Sequence, residues 1–325
     1  MIRSFINLIL CSVTFIILTI NFVNCQSRIG NLTDSGQFPV IKNNLSINFP
    51  ADHGSHNEYR IEWWYLTANL KDENGNALGL QWTLFRAALE PENNKNNWES
   101  SQIWMGHIAI TGKNFHLAEE KVARGGVSQA GVISEPFEAW IDNWYLKGSN
   151  WENLTVAAQG KNFSYNLKLT AKGPFIKHGS DGRSIKSASG QASAYYSQPF
   201  FYAKGWIEQN GMRKYVEGTA WADHEWSSQF LSDTQEGWDW FSLNFETGEK
   251  LMLFRVREKD ENHFYSGTWI NTAGEYKPVN LSQIDIRPVG PKTSKNYYTN
   301  WIIKIPDLNM SITISAINPF SEMNT

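Results

Sequence analysis

Apolar and polar residues alternate in short segments along the chain from about residue 49 onward, and a turn-forming pair separates each segment from the next. Side chains of a β-strand point alternately to its two faces, so this alternation is typical of half-buried strands. Turns rich in Asn and Gly between such segments are typical of hairpins. We therefore predict an all-β body of antiparallel strands, an arrangement found in barrels and sandwiches. The turn-forming pairs are Asn74-Gly75, Gly112-Lys113, Asn210-Gly211, Thr247-Gly248 and Ala273-Gly274.

The length of 325 residues fits two domains of ordinary size. The segment "QFLSDTQE" interrupts the alternation and marks a boundary between them. We predict a signal peptide at 1–25, a polar linker at 26–48, an N-terminal domain at 49–230 and a C-terminal domain at 231–325.

The first 25 residues have the layout of a signal peptide. Arg3 supplies a positive charge, an apolar run follows from Phe5 to Ile20, and "FVNC" leads to a cleavage position. Such a leader predicts a secreted or periplasmic protein. The alternative is an uncleaved anchor that associates with the membrane, since the run is near the length that spans a bilayer. The two cysteines, Cys11 and Cys25, both lie in this segment, so no disulfide is expected in the body.

The composition points to a small apolar partner. The net charge is -3 and no basic cluster stands out, which argues against binding of nucleic acid. The chain has 15 Trp, 12 Tyr and 18 Phe, whose large flat side chains suit a lined interior. We therefore expect a hydrophobic small molecule, a lipid or isoprenoid, as the partner.

The segment "GTAWADHEWSS" carries the densest candidate chemistry. Read as a strand, it places Trp221, Asp223 and Glu225 on one face and His224 and Trp226 on the other, behind a row of Gly and Ala. This row either leaves space for a slender apolar ligand or lets a neighbouring sheet pack closely. The two carboxyl groups either share a proton, which makes Asp223 an acid, or are ordinary surface carboxylates.

The segment "YRIEWWYLTANL" has aromatic residues on both faces. Glu62 and Trp64 point one way, while Trp63 and Tyr65 point the other. A strand with two apolar faces is covered on both sides, so these residues are candidates for ligand contact.

Two acidic residues are expected in apolar surroundings. Glu62 needs a partner such as Arg60 or Arg86, which would make it a structural ion pair, or it is an acid with a raised pKa. Asp239, in "GWDWFSLNF", lies on an apolar face, where a carboxyl group favours its protonated form and suits general acid catalysis. Alternatively, Asp239 lies in water at the mouth of the strand.

Other catalytic and metal motifs are weak or missing. "DHGSHNEY" is expected to form a loop that leads into the first strand. It spaces His53 and His56 three residues apart beside Asp52 and Glu58, but it offers only two ligands of the type that transition metals prefer. The sequence has no Gly-x-Ser-x-Gly elbow, phosphate-binding loop or dinucleotide fingerprint. We therefore predict no metal and no cofactor.

Three segments together resemble the AttH / hydroxyneurosporene synthase (carotenoid 1,2-hydratase) family: "FPADHGSHNEYRIEWWYLTANL", "GTAWADHEWSSQ" and "GWDWFSLNFETGEKLMLFRVRE". The resemblance runs from about Phe49 to Arg257, continues weakly to the end, and implies two consecutive lipocalin-like β-barrel domains. Similar proteins carry an aromatic and acidic stretch after the last strands, whereas this chain stops at "INPFSEMNT". We therefore expect a second barrel that is short of a strand or truncated.

The resemblance also implies a chemistry. Hydratases of this family add water to an isoprenoid double bond without a redox cofactor, which requires an acid, a site that tolerates a carbocation, and a positioned water. Their His-x-Trp pair matches His224 and Trp226. Their acid has no counterpart at the matching position, and Asp239 or Asp223 is a substitute.

Two functions follow. In the first, the protein is a hydratase or hydrolase-like enzyme acting on a long apolar, isoprenoid-like substrate. His224 positions water, Asp239 is the acid, and Trp226, Trp238 or Trp240 faces the cation. In the second, the protein is a lipocalin-like carrier of a lipid or pigment, and the same aromatic residues only line its ligand.

Overall fold

A computed structural model describes residues 38–91, 100–279, 283–293 and 297–323, together with the backbone of Thr14–Phe15. The predicted signal peptide and the first part of the polar linker otherwise lie outside the described residues. Among the residues described, no helix is both long and apolar enough to cross a membrane. The body is all-β, as predicted, with two short 3-10 turns at Ala51–His53 and Pro306–Leu308.

Twenty-one strands make up the described structure. Thirteen of them form one large sheet. The first seven of this sheet are β2 (Ile61–Asp72), β3 (Ala77–Ala88), β4 (Gln102–Gly112), β5 (Phe115–Arg124), β6 (Ala130–Ile133), β7 (Phe137–Ile141) and β8 (Trp144–Asn150). The other six are β9 (Asn153–Gln159), β10 (Phe163–Ala171), β11 (Ile176–Lys177), β12 (Arg183–Ile185), β13 (Ala192–Gln209) and β14 (Met212–Ser227).

The large sheet curls into a nearly closed barrel. Its strand order is β5-β4-β3-β2-β14-β13-β10-β9-β8-β7-β6, with β11 and β12 added to β13. Strand β7 returns to contact β3, β4 and β5, which brings the two ends of the sheet together. Fully buried side chains such as Trp64, Trp82 and Trp144 fill the interior, and Ile41 and Ile47 of the N-terminal segment join them. The barrel therefore encloses a packed core.

Two smaller sheets follow. One contains β15 (Gln235–Asn244), β16 (Lys250–Glu258), β17 (Phe264–Ile270) and β18 (Tyr276–Pro278). The other contains β19 (Asp285–Val289), β20 (Asn300–Ile305), β21 (Met310–Ala316) and β1 (Thr14–Phe15). Phe241 and Leu251 of the first sheet pack with Trp301, Ile303 and Ile314 of the second in a core of their own. Among the described strands, none of those in these two sheets pairs with a strand of the barrel, so the three sheets are separate.

The barrel and β16 share a third hydrophobic cluster. Tyr195 and Trp221, on the outer face of β13 and β14, pack with Met252 and Phe254 of β16. The outer face of the "GTAWADHEWSS" strand is therefore covered by the C-terminal part of the chain, which explains why both of its faces are buried.

Candidate active site

Strands β2 and β14 pair antiparallel and place the two main motifs beside each other. Glu62 is opposite Trp226, and Trp64 is opposite His224. Paired residues point to the same side of a sheet, so these four side chains share the interior face of the barrel. Trp64 and Trp226 belong to the interior core, which confirms the faces predicted for both segments.

A third segment enters the interior from the N-terminal side. The 3-10 turn Ala51–His53 and the residues after it carry Asp52, His53 and His56 into the barrel end. The indole Nε1 of Trp64 donates to the backbone oxygen of His53 at 3.1 Å, and the backbone nitrogen of Asn48 donates to Asp52 at 2.6 Å. The first bond holds the turn against β2 and the second closes the turn on itself, so residues that the sequence places in a loop complete the site.

Glu62 is the centre of the hydrogen-bonded cluster. Its Oε2 accepts from Arg86 Nε and from the backbone nitrogen of His56, both at 2.9 Å. Its Oε1 lies 2.7 Å from His56 Nδ1 and 2.9 Å from His224 Nε2. Burial alone would raise the pKa of Glu62, but the Arg86 and His56 charges lower it well below its ordinary value. Glu62 is therefore an ionised carboxylate, and Arg86 is the partner that the sequence suggested.

His56 carries a positive charge in this cluster. Burial alone would lower its pKa, but the carboxylates of Glu62 and Asp52 raise it to about 9. Its Nε2 lies 3.2 Å from Asp52 Oδ1, whose side chain is 21% exposed. Its ring stacks on Trp226 with centroids 3.9 Å apart, an arrangement that stabilises a cation. His56 thus connects the buried carboxylate to a group in contact with solvent.

His224 continues the cluster on the other side of Glu62. Its Nδ1 lies 3.0 Å from the hydroxyl of Tyr196, and that hydroxyl lies 2.7 Å from Nδ1 of His53. Burial lowers the pKa of His224 below its ordinary value and lowers that of His53 to about 3, so both imidazoles are neutral. Nδ1 of His224 also lies 3.1 Å from the backbone oxygen of Asp52. We assign the neutral tautomer of His224 that donates from Nε2 to Glu62, because an ionised carboxylate is the stronger acceptor, and Nδ1 then accepts from Tyr196.

Together these residues form a continuous hydrogen-bonded chain, which we call the relay. In order, it contains Asp52, His56, Glu62, His224, Tyr196 and His53. One end reaches the surface at Asp52. At the other end, Nε2 of His53 has no hydrogen-bond partner among the described residues.

The inner end of the relay lies among aromatic rings. The ring of His53 stacks between Phe49 at 4.6 Å and Trp151 at 4.8 Å, and Phe175 lies 5.2 Å away. His53 is 4% exposed and His224 is fully buried. Both imidazoles are therefore shielded from solvent by the surrounding side chains.

His56, Glu62 and His224 also bring three metal-ligand atoms within 4.8 Å of one another. Two imidazoles and a carboxylate are a ligand set found in zinc enzymes. Here, however, Oε1 of Glu62 bonds to both imidazoles, and the adjacent Arg86 guanidinium adds a positive charge. In this arrangement the three side chains suit proton transfer better than the binding of a metal cation.

The remaining candidate residues lie elsewhere. Trp63, Tyr65, Trp221 and Asp223 are on the outer face of the barrel, away from His224. Trp238 and Trp240 approach that outer face from β15 and line a cleft there with Trp63. The candidate ligand-contact residues are therefore divided between two faces, as the alternation predicted: Glu62 and Trp64 point into the barrel, and Trp63, Tyr65 and Trp221 point outward.

Asp223 and Glu225 have separate partners. Oδ1 of Asp223 accepts from Tyr195 and Trp221, both at 2.9 Å, and from Ser197. Burial raises the pKa of Asp223 to about 7, and the charge of Glu225 adds to this rise. Glu225 pairs with Lys186 at 2.7 Å. Asp223 is thus a buried carboxyl group whose pKa is raised mainly by burial, and it faces away from His224.

Asp239 is not the isolated carboxyl group that its apolar neighbours suggested. It forms ion pairs with Arg255, at 2.7 Å, and with Arg257. Arg255 also donates to the backbone oxygen of Ile286 at 2.8 Å, so the pair ties two strands of the C-terminal part together. Asp239 is therefore an ion-paired carboxyl group of the C-terminal part, in place of the isolated acid that its apolar neighbours suggested.

The sequence did not single out Tyr196, and it placed His53 and His56 in a loop. Tyr196 pairs with His224 across β13 and β14. Its position in "SAYYSQPFF" gives the required face by alternation, but only the pairing of the strands shows that it meets His224.

Comparison with known proteins identifies the family and solved structures with a similar fold. A model of the AttH-like family matches residues 40–325. The chain belongs to this family. The crystal structure of a candidate AttH from Nitrosomonas europaea has 28% sequence identity and a TM-score of 0.73, covering 82% of this chain and 84% of that one. Kievitone hydratase from Nectria haematococca has 11% identity and a TM-score of 0.58, covering 82% and 78%, so it shares the fold. A search of curated proteins found no match.

Proposed function

We propose that this AttH-like protein is an acid–base enzyme of the hydratase type that adds water to a double bond of an apolar small molecule. The observation that carries this proposal is the relay of ionisable groups in an aromatic interior. Clusters of groups with shifted pKa values are typical of sites of proton transfer. The kievitone hydratase shares the fold, which is consistent with the same class of reaction.

The relay supplies a single group that acts first as acid and then as base. Loaded with one extra proton, it carries a hydrogen on both Nδ1 and Nε2 of His53, while Glu62 stays ionised. His53 gives its Nε2 hydrogen to one carbon of the double bond. A water molecule then attacks the other carbon and returns a proton to Nε2, so the relay ends as it began.

The surroundings suit both halves of this reaction. An imidazolium with a pKa of about 3 is a strong acid, as protonation of an alkene requires. The faces of Phe49, Trp151 and Phe175 stabilise the carbocation that forms beside His53. In this proposal His224 passes protons instead of positioning water, and Trp226 supports the charge of His56.

A pure carrier is the second candidate. Binding pockets for ligands of drug size or larger enclose about 300 to 1,000 Å³ and are mostly apolar. The interior described here is filled with tryptophan and aliphatic side chains and contains charged groups that a lipid carrier does not need. These features favour the enzyme.

The test is an incubation of the purified protein with an organic extract of its native host in water labelled with oxygen-18. The proposal expects a product heavier than its precursor by one labelled water, detected by mass spectrometry. Recovery of a single unmodified lipid, bound to the protein in near-stoichiometric amount, would support the carrier instead.

A further inference from the structure

A second cleft lies outside the barrel, away from the relay. It is bounded by the outer face of β2 and β14, by the connection 229–231, and by β15 and β16. Its volume is about 90 Å³. Since drug-sized ligands occupy about 300 Å³ or more, this space suits a single ring and not a long lipid chain.

The walls of the cleft are aromatic. Trp63 of β2 contributes from one side, and Trp238 and Trp240 of β15 contribute from the other. All three indoles are only partly buried, although they lie between two folded parts of the chain. Half-buried tryptophans that converge on one cleft are typical of sites that stack on a flat ring.

The floor of the cleft is polar. Lys186 pairs with Oε1 of Glu225 at 2.7 Å, and Ser193 donates to the same oxygen. Oε2 of Glu225 receives no hydrogen bond from the described residues. A carboxylate oxygen only accepts, so this atom suits a ligand that donates.

The charge at the floor selects among ligands. Nζ of Lys186 lies 4.2 Å from the ring centroid of Phe254 and 4.8 Å from that of Tyr195. The protein thus places its own cation against these rings, and a cationic ligand would be repelled by it. Because Glu225 balances Lys186, the floor as a whole favours a neutral ligand.

We infer that this cleft binds a small neutral aromatic alcohol of the phenol type, with the ring against the tryptophans and the hydroxyl donating to Glu225. This site is separate from the relay and does not depend on the proposed reaction.

The test uses p-cresol as the probe and the full chain without its leader, by calorimetric titration and saturation-transfer NMR. We expect saturable binding, weakened about tenfold in Trp238→Ala and about fivefold in Glu225→Gln, as for loss of a stacked ring and of one hydrogen bond. Toluene, which lacks the hydroxyl, should bind about fivefold more weakly. Trp206→Ala is the matched control, because Trp206 stacks on Arg213 far from the cleft.

Two outcomes overturn the inference. One is the absence of saturable binding of p-cresol to the wild-type protein. The other is binding that is lost in His224→Gln but kept in Trp238→Ala, which would place the probe inside the barrel. Thermal unfolding of each variant shows whether it is folded. If Trp238→Ala is not folded, Trp238→Phe, which keeps an aromatic face, is measured in its place. Since only binding is measured, a failure here leaves the proposed reaction untouched.

Discussion

Nε2 of His224 lies 2.9 Å from Oε1 of Glu62, although 161 residues separate the two in the sequence. The strand register produces this contact: Glu62 is opposite Trp226, His224 is opposite Trp64, and the two polar residues are diagonal neighbours on one face. An ionised carboxylate beside a neutral imidazole in a buried interior is the core of the relay.

Among the described residues, the hydroxyl of Tyr196 is what links His53 to His224 in the relay. Tyr196→Phe should lower turnover by about 10² to 10⁴-fold, the range for loss of acid–base assistance. Tyr165→Phe is the matched control, because Tyr165 is equally buried in the barrel and donates to a backbone oxygen, at Gln81, outside the relay. Equal activity of the two variants would exclude the relay from catalysis.

His56 should make stability fall at alkaline pH. Its pKa in the folded protein, about 9, lies above the ordinary 6.5, so the folded state holds a proton that the unfolded chain loses first. This stabilisation is complete below about pH 6.5 and is lost as pH rises through 9. Urea unfolding of wild type and His56→Gln between pH 6 and 10 should show an extra loss of up to about 3 kcal/mol in the wild type. Parallel curves would show that His56 is uncharged in the folded state.

Asp223 should destabilise the protein above neutral pH. Burial raises its pKa to about 7, and its Oδ2 is buried without a hydrogen-bond partner among the described residues. The protonated form is favoured below that pH, and stability is lost as pH rises from the ordinary carboxyl pKa through 7. Asp223→Asn should therefore gain about 1 to 3 kcal/mol relative to wild type between pH 5 and pH 9. A constant difference across this range, measured by urea unfolding, would contradict the raised pKa.

The Asp239 ion pairs should be structural. Asp239→Asn leaves Arg255 without its charged partner in a buried position and should cost about 3 kcal/mol of unfolding free energy. The variant should keep the imidazole NMR signals of His53 and His224, because the pairs lie in the C-terminal part of the chain. A change in those signals would connect Asp239 to the relay.

Alternation along the chain predicted the all-β class and the opposite directions of His224 and Asp223, because each strand fixes its own faces. It did not predict which strands pair, so Tyr196 and the Asp52 turn could not be placed beside His224. The same limit explains Asp239: an apolar face on its own strand gave no sign of Arg255, which is on the neighbouring strand.

The most direct test of the relay compares His224→Gln with His107→Gln in the oxygen-18 incubation. Both histidines are buried, but His107 is on β4 and pairs with Glu120 at 3.2 Å, outside the relay. The relay mechanism predicts that labelled water enters the product with wild type and His107→Gln and not with His224→Gln. Full incorporation of label by folded His224→Gln would contradict it.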